Sequence, residues 1–171
     1  MPCETVTNTD LTTIIAIGAL IISTLSMIFS IIFSIFQLQH NKNSVKPISH
    51  IRIGDYENLL FVEIHNVGTG PLSIKHFKAK NHIEEKNNLN SLMPYIPQSW
   101  NNFTEDIEGR TIPVNGKITL VELEPNSEEI KFMIRNSLSK IKIELEYTDV
   151  YGKTFRDERK LTFFARTIEN S

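Results

Sequence analysis

The chain has 171 residues, enough for one domain of ordinary size and an appendage but not for two substantial cores. Its 18 Lys and Arg residues against 20 Asp and Glu residues give a formal net charge of −2, so no strong positive field favours nucleic acid. The single cysteine, Cys3, excludes an internal disulfide framework. We interpret Cys3 as incidental, with intermolecular pairing or lipidation as the alternatives.

The first predicted element is a transmembrane helix over residues 11–38, after an N-terminal tail over residues 1–10. No charged side chain occurs between residues 11 and 38, and about 20 apolar residues are enough to cross the roughly 30 Å hydrocarbon layer. A cleaved signal peptide would begin with basic residues and carry a shorter apolar run. We therefore expect a retained single-pass anchor.

The charges that flank this segment indicate its orientation. Glu4 and Asp10 precede it without any Lys or Arg, whereas Lys42, Lys46 and Arg52 follow it. Since Lys and Arg are enriched on the cytoplasmic side of membrane helices, we expect the C-terminal domain in the cytoplasm, at the inner membrane. A C-terminal reporter that is active only outside the cytoplasm would contradict this orientation.

Small residues mark one face of the predicted helix. Ala19, Ser23, Ser26, Ser30 and Ser34 follow one another at steps of three or four residues, so they share a face. Such faces let helices pack closely in lipid, which predicts self-association of the helix. The alternative is that the serine hydroxyls bond carbonyls of their own helix and that the spacing is a coincidence.

A linker over residues 39–47 is predicted next, because this segment is polar and ends at Pro47. The domain that follows, residues 48–166, is predicted to be built from strands, the clearest of them at residues 140–148, where apolar and polar side chains alternate. Similar alternation predicts strands at residues 51–53, 60–64, 72–74, 118–120, 130–134 and 161–163 and near Phe155. A C-terminal tail is assigned to residues 167–171.

Turn residues separate the predicted strands, at residues 66–71, 115–116, 125–126 and 149–152. About seven short strands at this spacing are typical of an antiparallel immunoglobulin-like β-sandwich. The predicted fold class is therefore mainly β, with an N-terminal transmembrane α-helix followed by that sandwich.

The segment over residues 83–107 differs from the rest, since it is rich in Asn, contains two prolines and carries the one tryptophan. We predict a long loop with a helical turn near residues 89–93. Long loops in compact domains often carry function, so Tyr95, Trp100 and Phe103 are the candidate residues for binding a partner. The alternative is that these side chains pack over one open end of the sandwich.

Two turn motifs stand out in the domain, an NxGxGP turn and a YxDxxGxxF hairpin. The first lacks the Gly-Lys-Ser/Thr of a phosphate-binding loop, so we expect a structural role for both. The structural turn residues are Asn66, Gly68, Gly70 and Pro71 in the first motif and Asp149 and Gly152 in the second.

With these motifs, residues 45–164 resemble a loose group of bacterial single-pass membrane-anchored β-sandwich proteins. The shared motifs belong to a fold and not to a reaction. The resemblance therefore implies an anchored sandwich and names no activity.

The sequence predicts no catalytic, metal-binding or cofactor-binding centre. Its five histidines show no HxxxH or HxH spacing, and its acidic clusters do not follow a calcium-loop pattern. A GxSxG nucleophile elbow and a suitable cysteine are also missing from the sequence. We expect no enzyme, no metal and no cofactor.

The predicted function is that of a membrane-anchored interaction or accessory protein, which presents a small β-sandwich at the membrane surface to a partner. The alternative is a membrane effector of a bacterial defence or toxin system, in which ligand or partner sensing by the β domain drives self-association of the transmembrane helix. The expected partners are the lipid bilayer and either another protein or a second copy of the helix, and not nucleic acid.

Overall fold

The computed structural model describes residues 8–166, with side chains from residue 11 onward. The chain divides into two compact units, with the boundary between Asn43 and Ser44. The first unit is a long helix and the second contains two antiparallel sheets, which confirms the predicted order of an apolar helix followed by antiparallel strands. About one third of the chain is strand, so the whole is mixed α/β and not mainly β. Cys3 and the predicted C-terminal tail lie outside the described residues.

The helix α1 spans Asn8–Ser44. Its segment Leu11–Ser44 is long and apolar enough to cross a membrane, and its apolar window has no residue buried within the structure. α1 also includes residues 8–10 and most of the predicted linker, residues 39–47. A proline restricts chiefly the residue before it, so Pro47 does not prevent the polar segment from remaining helical through Ser44.

The second unit contains nine short strands within the described residues. They are β1 (Ser49–Asp55), β2 (Leu60–Asn66), β3 (Leu72–Lys80), β4 (Glu85–Lys86), β5 (Asn102–Phe103), β6 (Thr111–Ile112), β7 (Lys117–Leu123), β8 (Lys142–Thr148) and β9 (Thr154–Lys160). The first sheet has the order β1-β2-β7-β5. The second has the order β4-β3-β8-β9, with β6 also paired to β3.

The two sheets share one hydrophobic core. Alternation along β8 buries Ile143 and Leu145, while the residues between them lie on the solvent side. Val62 and Ile64 of β2 are fully buried in the same cluster, as is Phe77 of β3. Each such side chain stabilises the fold by about 1.5–3 kcal/mol through its burial.

A second helix, α2 (Glu128–Ser139), lies where a strand was predicted at residues 130–134, so that prediction was wrong. Apolar residues at 130, 132 and 134 fit both the two-residue period of a strand and the four-residue step of a helix. Asn136 breaks the strand pattern, whereas Leu138 continues the helical one. The Ser127 hydroxyl also caps the helix by accepting a hydrogen bond from a first-turn backbone N–H at 3.3 Å.

The strand predicted at residues 161–163 is wrong as well, because the 3-10 turn Thr162–Ala165 lies there. Leu161 and Phe164 are fully buried, and their spacing of three residues is one turn of a 3-10 helix. In the predicted loop, the 3-10 turn Asn90–Leu92 occurs near the expected helical turn. The two-residue strands β4 and β5, also within this loop, are too short to produce a visible alternation.

Side-chain hydrogen bonds close one side of the second unit, between β1 and β9. Ser49 Oγ donates to Asp157 Oδ2 at 2.5 Å, and the backbone N–H of Ser49 donates to the Tyr147 hydroxyl at 3.2 Å. Arg159 Nη1 donates to the carbonyl of Ile51 at 2.5 Å. Burial raises the pKa of Tyr147, so this hydroxyl stays protonated. The first and last strands are therefore joined without pairing their backbones.

Because the strands are antiparallel, the loops gather at two ends of the second unit. The proximal end, where the chain arrives from α1, is formed by residues 45–48, 67–71, 113–116 and 149–153. Backbone hydrogen bonds connect these loops, among them Val67 N–H to Ile48 O at 2.9 Å and Asn115 N–H to Asn66 O at 3.0 Å. The distal end is formed by residues 56–59, 81–101 and 124–127, together with α2.

Candidate functional site

Asn66 is buried at the centre of the NxGxGP turn. Its Oδ1 accepts a hydrogen bond from the backbone N–H of Gly68 at 3.0 Å. Its Nδ2 donates to the carbonyl oxygens of Gly70 at 2.8 Å, Ile112 at 3.1 Å and Pro113 at 3.2 Å. One side chain thus connects the β2–β3 turn to the β6–β7 turn.

The two glycines of this turn make room for the chain that arrives from α1. A Cβ at Gly68 would clash with the backbone of residues 46–48, and a Cβ at Gly70 would clash with the carbonyl of Val45. Pro71 follows and leads into β3. The motif therefore fixes the point at which the chain enters the second unit.

The YxDxxGxxF hairpin lies at the same proximal end. Asp149 Oδ1 accepts hydrogen bonds from the backbone N–H groups of Tyr151 and Lys153, each at 2.9 Å. Gly152 has φ +79°, a left-handed conformation that glycine adopts without strain. This arrangement leaves Val150 and Tyr151 exposed at the tip. The structure brings both turn motifs together at one end.

The three candidate partner residues differ in their exposure. Tyr95 is 91% exposed at the distal end, and Phe103 of the edge strand β5 is 41% exposed. Trp100 is half-buried and packs against the core. The loop therefore presents Tyr95 to solvent, while Trp100 fits the alternative of packing over the core.

Sequence reasoning missed further exposed apolar side chains at the distal end. The exposure of Phe132 was not predicted, because residues 130–134 were predicted to form a strand in which Phe132 would share a buried side with Ile130. On a helix it points away from the buried residues of α2, so a helical projection would have found it. We define the distal apolar surface as Tyr56, Ile83, Tyr95, Phe132 and Met133, which are 41–92% exposed.

A small cavity opens beside the most exposed of these side chains, Ile83. It has a volume of about 150 Å³ and is lined by Leu92, Ser137 and Lys140 together with residues 81–83. The distal end therefore offers both projecting side chains and a recess.

The solvent side of the second sheet carries a groove of about 600 Å³ lined mainly by charged residues. Opposite charges pair across it, with Arg156 Nε 2.7 Å from Glu146 Oε2 and Lys142 Nζ 2.6 Å from Glu158 Oε2. Lys142 Nζ also lies 2.9 Å from Glu144 Oε1. Such paired charges suit a solvated sheet surface and discourage pairing of the β9 edge with other strands.

Glu144 is expected to make stability depend on acid pH. Hydrogen bonds from Lys80 and Lys142 lower its pKa from 4.5 to about 2. Because the folded pKa is lowered, the contribution is present above about pH 4.5 and is lost as pH falls towards 2. Glu144→Gln should therefore cost less than about 1 kcal/mol at pH 6, as for exposed pairs, and almost nothing at pH 2.

Urea unfolding of the detergent-solubilised full chain at several pH values measures this difference. Glu105→Gln is the matched control, because Glu105 is exposed and forms no salt bridge within the described residues. A gap between Glu144→Gln and the unmodified chain that stays constant from pH 6 to pH 2 would contradict the lowered pKa.

On α1, the serine hydroxyls donate to carbonyls of their own helix. Ser23 Oγ donates to Leu20 O at 2.9 Å, and Ser26 Oγ donates to Ile22 O at 2.8 Å. Ser30 Oγ donates to Ser26 O at 2.9 Å. These bonds fit the alternative interpretation of the face formed with Ala19 and Ser34, and self-association of α1 stays a prediction.

Within the described residues, no group of three His, Cys, Asp or Glu side chains could hold a metal ion. His76 instead lies beside a carboxylate, with its Nδ1 3.5 Å from Glu108 Oε1. Comparisons with protein-family models, with curated proteins and with solved structures found no match.

Proposed function

We propose that the chain is a single-pass protein of the bacterial inner membrane whose second unit, an immunoglobulin-like β-sandwich, binds a protein partner in the cytoplasm. The observation that carries the proposal is the distal apolar surface. It lies at the end of the second unit away from the point where the chain arrives from α1. An anchored domain would thus present this surface to the cytoplasm.

The composition of the distal apolar surface suits a protein partner. Aromatic residues and Met are enriched in the cores of protein interfaces, and Tyr is frequent among residues that dominate binding energy. Tyr95 and Ile83 project into solvent, and the cavity beside Ile83 could receive one side chain of the partner. The hydrophobic core of the second unit, by contrast, is formed by other side chains and does not include these residues.

Capture of a partner from native membranes tests the proposal. The full chain, expressed in its host and crosslinked before solubilisation, should recover a specific protein, and Tyr95→Asp should reduce recovery about tenfold, since a buried charge without a counterion is costly at an interface. Asn102→Asp is the matched control, because it places the same charge on an exposed residue outside the distal apolar surface.

Equal loss with both variants, or no loss with either, would contradict a distal binding surface. Loss of membrane potential on induced expression, abolished by Ser26→Leu with Ser30→Leu, would favour the membrane effector instead. A C-terminal reporter active only outside the cytoplasm would overturn the orientation.

A further inference from the structure

We infer that the proximal end of the second unit rests on the anionic headgroups of the membrane that α1 crosses. The contact surface, the proximal apolar surface, consists of Ile48, Val67, Val114, Val150 and Tyr151, flanked by Lys46 and Lys153. The inference rests on the proposed function, because it needs α1 to be inserted in the bilayer.

The proximal apolar surface is built from the tips of four separate loops. Its five side chains are 45–59% exposed. Val67 and Ile48 are adjacent through a backbone hydrogen bond of 2.9 Å, and the loop of Val114 is joined to β2 by the bond from Asn115 to Asn66. A single exposed valine is ordinary, but apolar tips on four neighbouring loops indicate a surface that meets something apolar.

The charges at this end suit an anionic surface. Within the four loops the charged residues are Lys46, Lys153 and Asp149. Asp149 is buried, and its Oδ1 accepts two backbone N–H groups. The ammonium groups of Lys46 and Lys153 each lie 5.5 Å from the centre of the Phe155 ring, so both cations lie at one ring. Each lysine near an anionic membrane surface contributes about 1 kcal/mol.

The length of chain between the apolar run and this end places it near the headgroups. The apolar run ends at Leu38 and α1 ends at Ser44, immediately before the first proximal loop. Six helical residues extend about 9 Å, whereas the headgroup layer on each side of the hydrocarbon is roughly 5–8 Å thick. The proximal loops are therefore close enough to contact the bilayer surface.

Tyrosine and lysine are also the residues that proteins place at membrane interfaces. Tyr sits at the headgroup level with its ring towards the acyl chains, and Lys extends its charge towards phosphate. Tyr151 and Lys153 are two residues apart in one hairpin. A lipid contact at this end would leave the distal apolar surface, at the other end of the second unit, available to a partner.

Depth-dependent fluorescence quenching tests the lipid contact. The full chain, with Cys3→Ser to remove the single cysteine, is reconstituted in phosphatidylcholine vesicles with phosphatidylglycerol. An environment-sensitive fluorophore is attached at Val150→Cys or, as the matched control, at Tyr95→Cys. We expect the label at residue 150 to be quenched by headgroup spin-labelled lipid and the label at residue 95 not to be.

Charge reversal checks the chemistry of the contact. In the same vesicles, Lys46→Glu with Lys153→Glu should reduce quenching of the residue 150 label to about a thirtieth, since about 1 kcal/mol per lysine is lost and about 1.4 kcal/mol is a factor of ten. Omission of phosphatidylglycerol should have a similar effect on the unmodified loops. Unchanged Trp100 emission would show that the variants remain folded.

Alkaline extraction separates this inference from the proposed function. If the chain is washed from the vesicles, both fail. If it stays while the labels at residues 150 and 95 are quenched equally or not at all, the lipid contact is overturned and the anchor stands. A blue shift at residue 150 without quenching would mean that protein, such as a second copy, covers the surface, and it would also overturn the contact.

Discussion

Replacing Asn66 with alanine is expected to lower the free energy of unfolding of the second unit by about 3–5 kcal/mol. The side chain is fully buried, and its removal takes the amide donor from the carbonyls of Gly70 and Ile112 and the acceptor from the Gly68 N–H. The carbonyl of Pro113 keeps its hydrogen bond from the Gly116 N–H. Each unsatisfied buried polar group costs about 1–3 kcal/mol, with partial relief where water can enter. Two turns of the proximal end would lose their connection together.

Urea unfolding of the full chain in detergent, followed by Trp100 fluorescence, measures this loss. Asn102→Ala is the matched control, since Asn102 is exposed in the short strand β5, and it should change stability by less than about 0.5 kcal/mol. Asn66→Asp should be no better than alanine, because a carboxylate oxygen would face three carbonyl oxygens. Full stability of Asn66→Asp would show that the donated hydrogen bonds matter little.

Asp55→Ala is expected to destabilise the second unit by about 3–5 kcal/mol, because it leaves a charged partner buried and unpaired. Arg135 of α2 donates from Nε at 3.0 Å and from Nη2 at 2.5 Å to Asp55 Oδ1. Both side chains are largely buried. Next to this pair, Lys131 Nζ donates to the carbonyl of Glu57 at 2.6 Å. The pair therefore ties α2 to the β1–β2 turn.

A double-mutant cycle separates the free energy lost by leaving Arg135 unpaired from the net stabilisation that the ion pair provides. Asp55→Ala with Arg135→Met should recover much of the loss, since apolar replacements of a buried ion pair are often nearly neutral. Within the described residues, Asp55 Oδ2 is buried without a hydrogen-bond partner. This unsatisfied oxygen lowers the net stabilisation that the ion pair provides. A double variant as unstable as the sum of the two single ones would contradict this explanation.

The strands that could be predicted from sequence are those whose alternation runs over several residues with one buried side. β8 is the clearest example, and β3 follows the same rule. β2 has apolar residues at every second position from 60 to 64, although the residues between them are buried as well. Residues 130–134 alone could not separate α2 from a strand, because apolar positions two and four residues apart satisfy both periods. The cap at Ser127 was the local signal that decides between them.

The candidate surfaces were harder to predict, because exposure is a property of the assembled sheets. Trp100 and Tyr95 come from one loop, yet one packs against the core and the other projects into solvent. The exposure of Phe132 follows from its place on α2 and not on a strand. The ion pair between Asp55 and Arg135 likewise joins residues far apart in sequence, so no local sequence pattern predicts it.

The hydrogen bonds between β1 and β9 also set an order of events during biosynthesis. Ser49 and its partner Asp157 are 108 residues apart. At a translation rate of about 5–20 residues per second, β1 waits roughly 5–20 s after leaving the ribosome before β9 is available. β1 can pair with β2 long before then, so the hydrogen bonds from β1 to β9 are among the last contacts of the second unit to form.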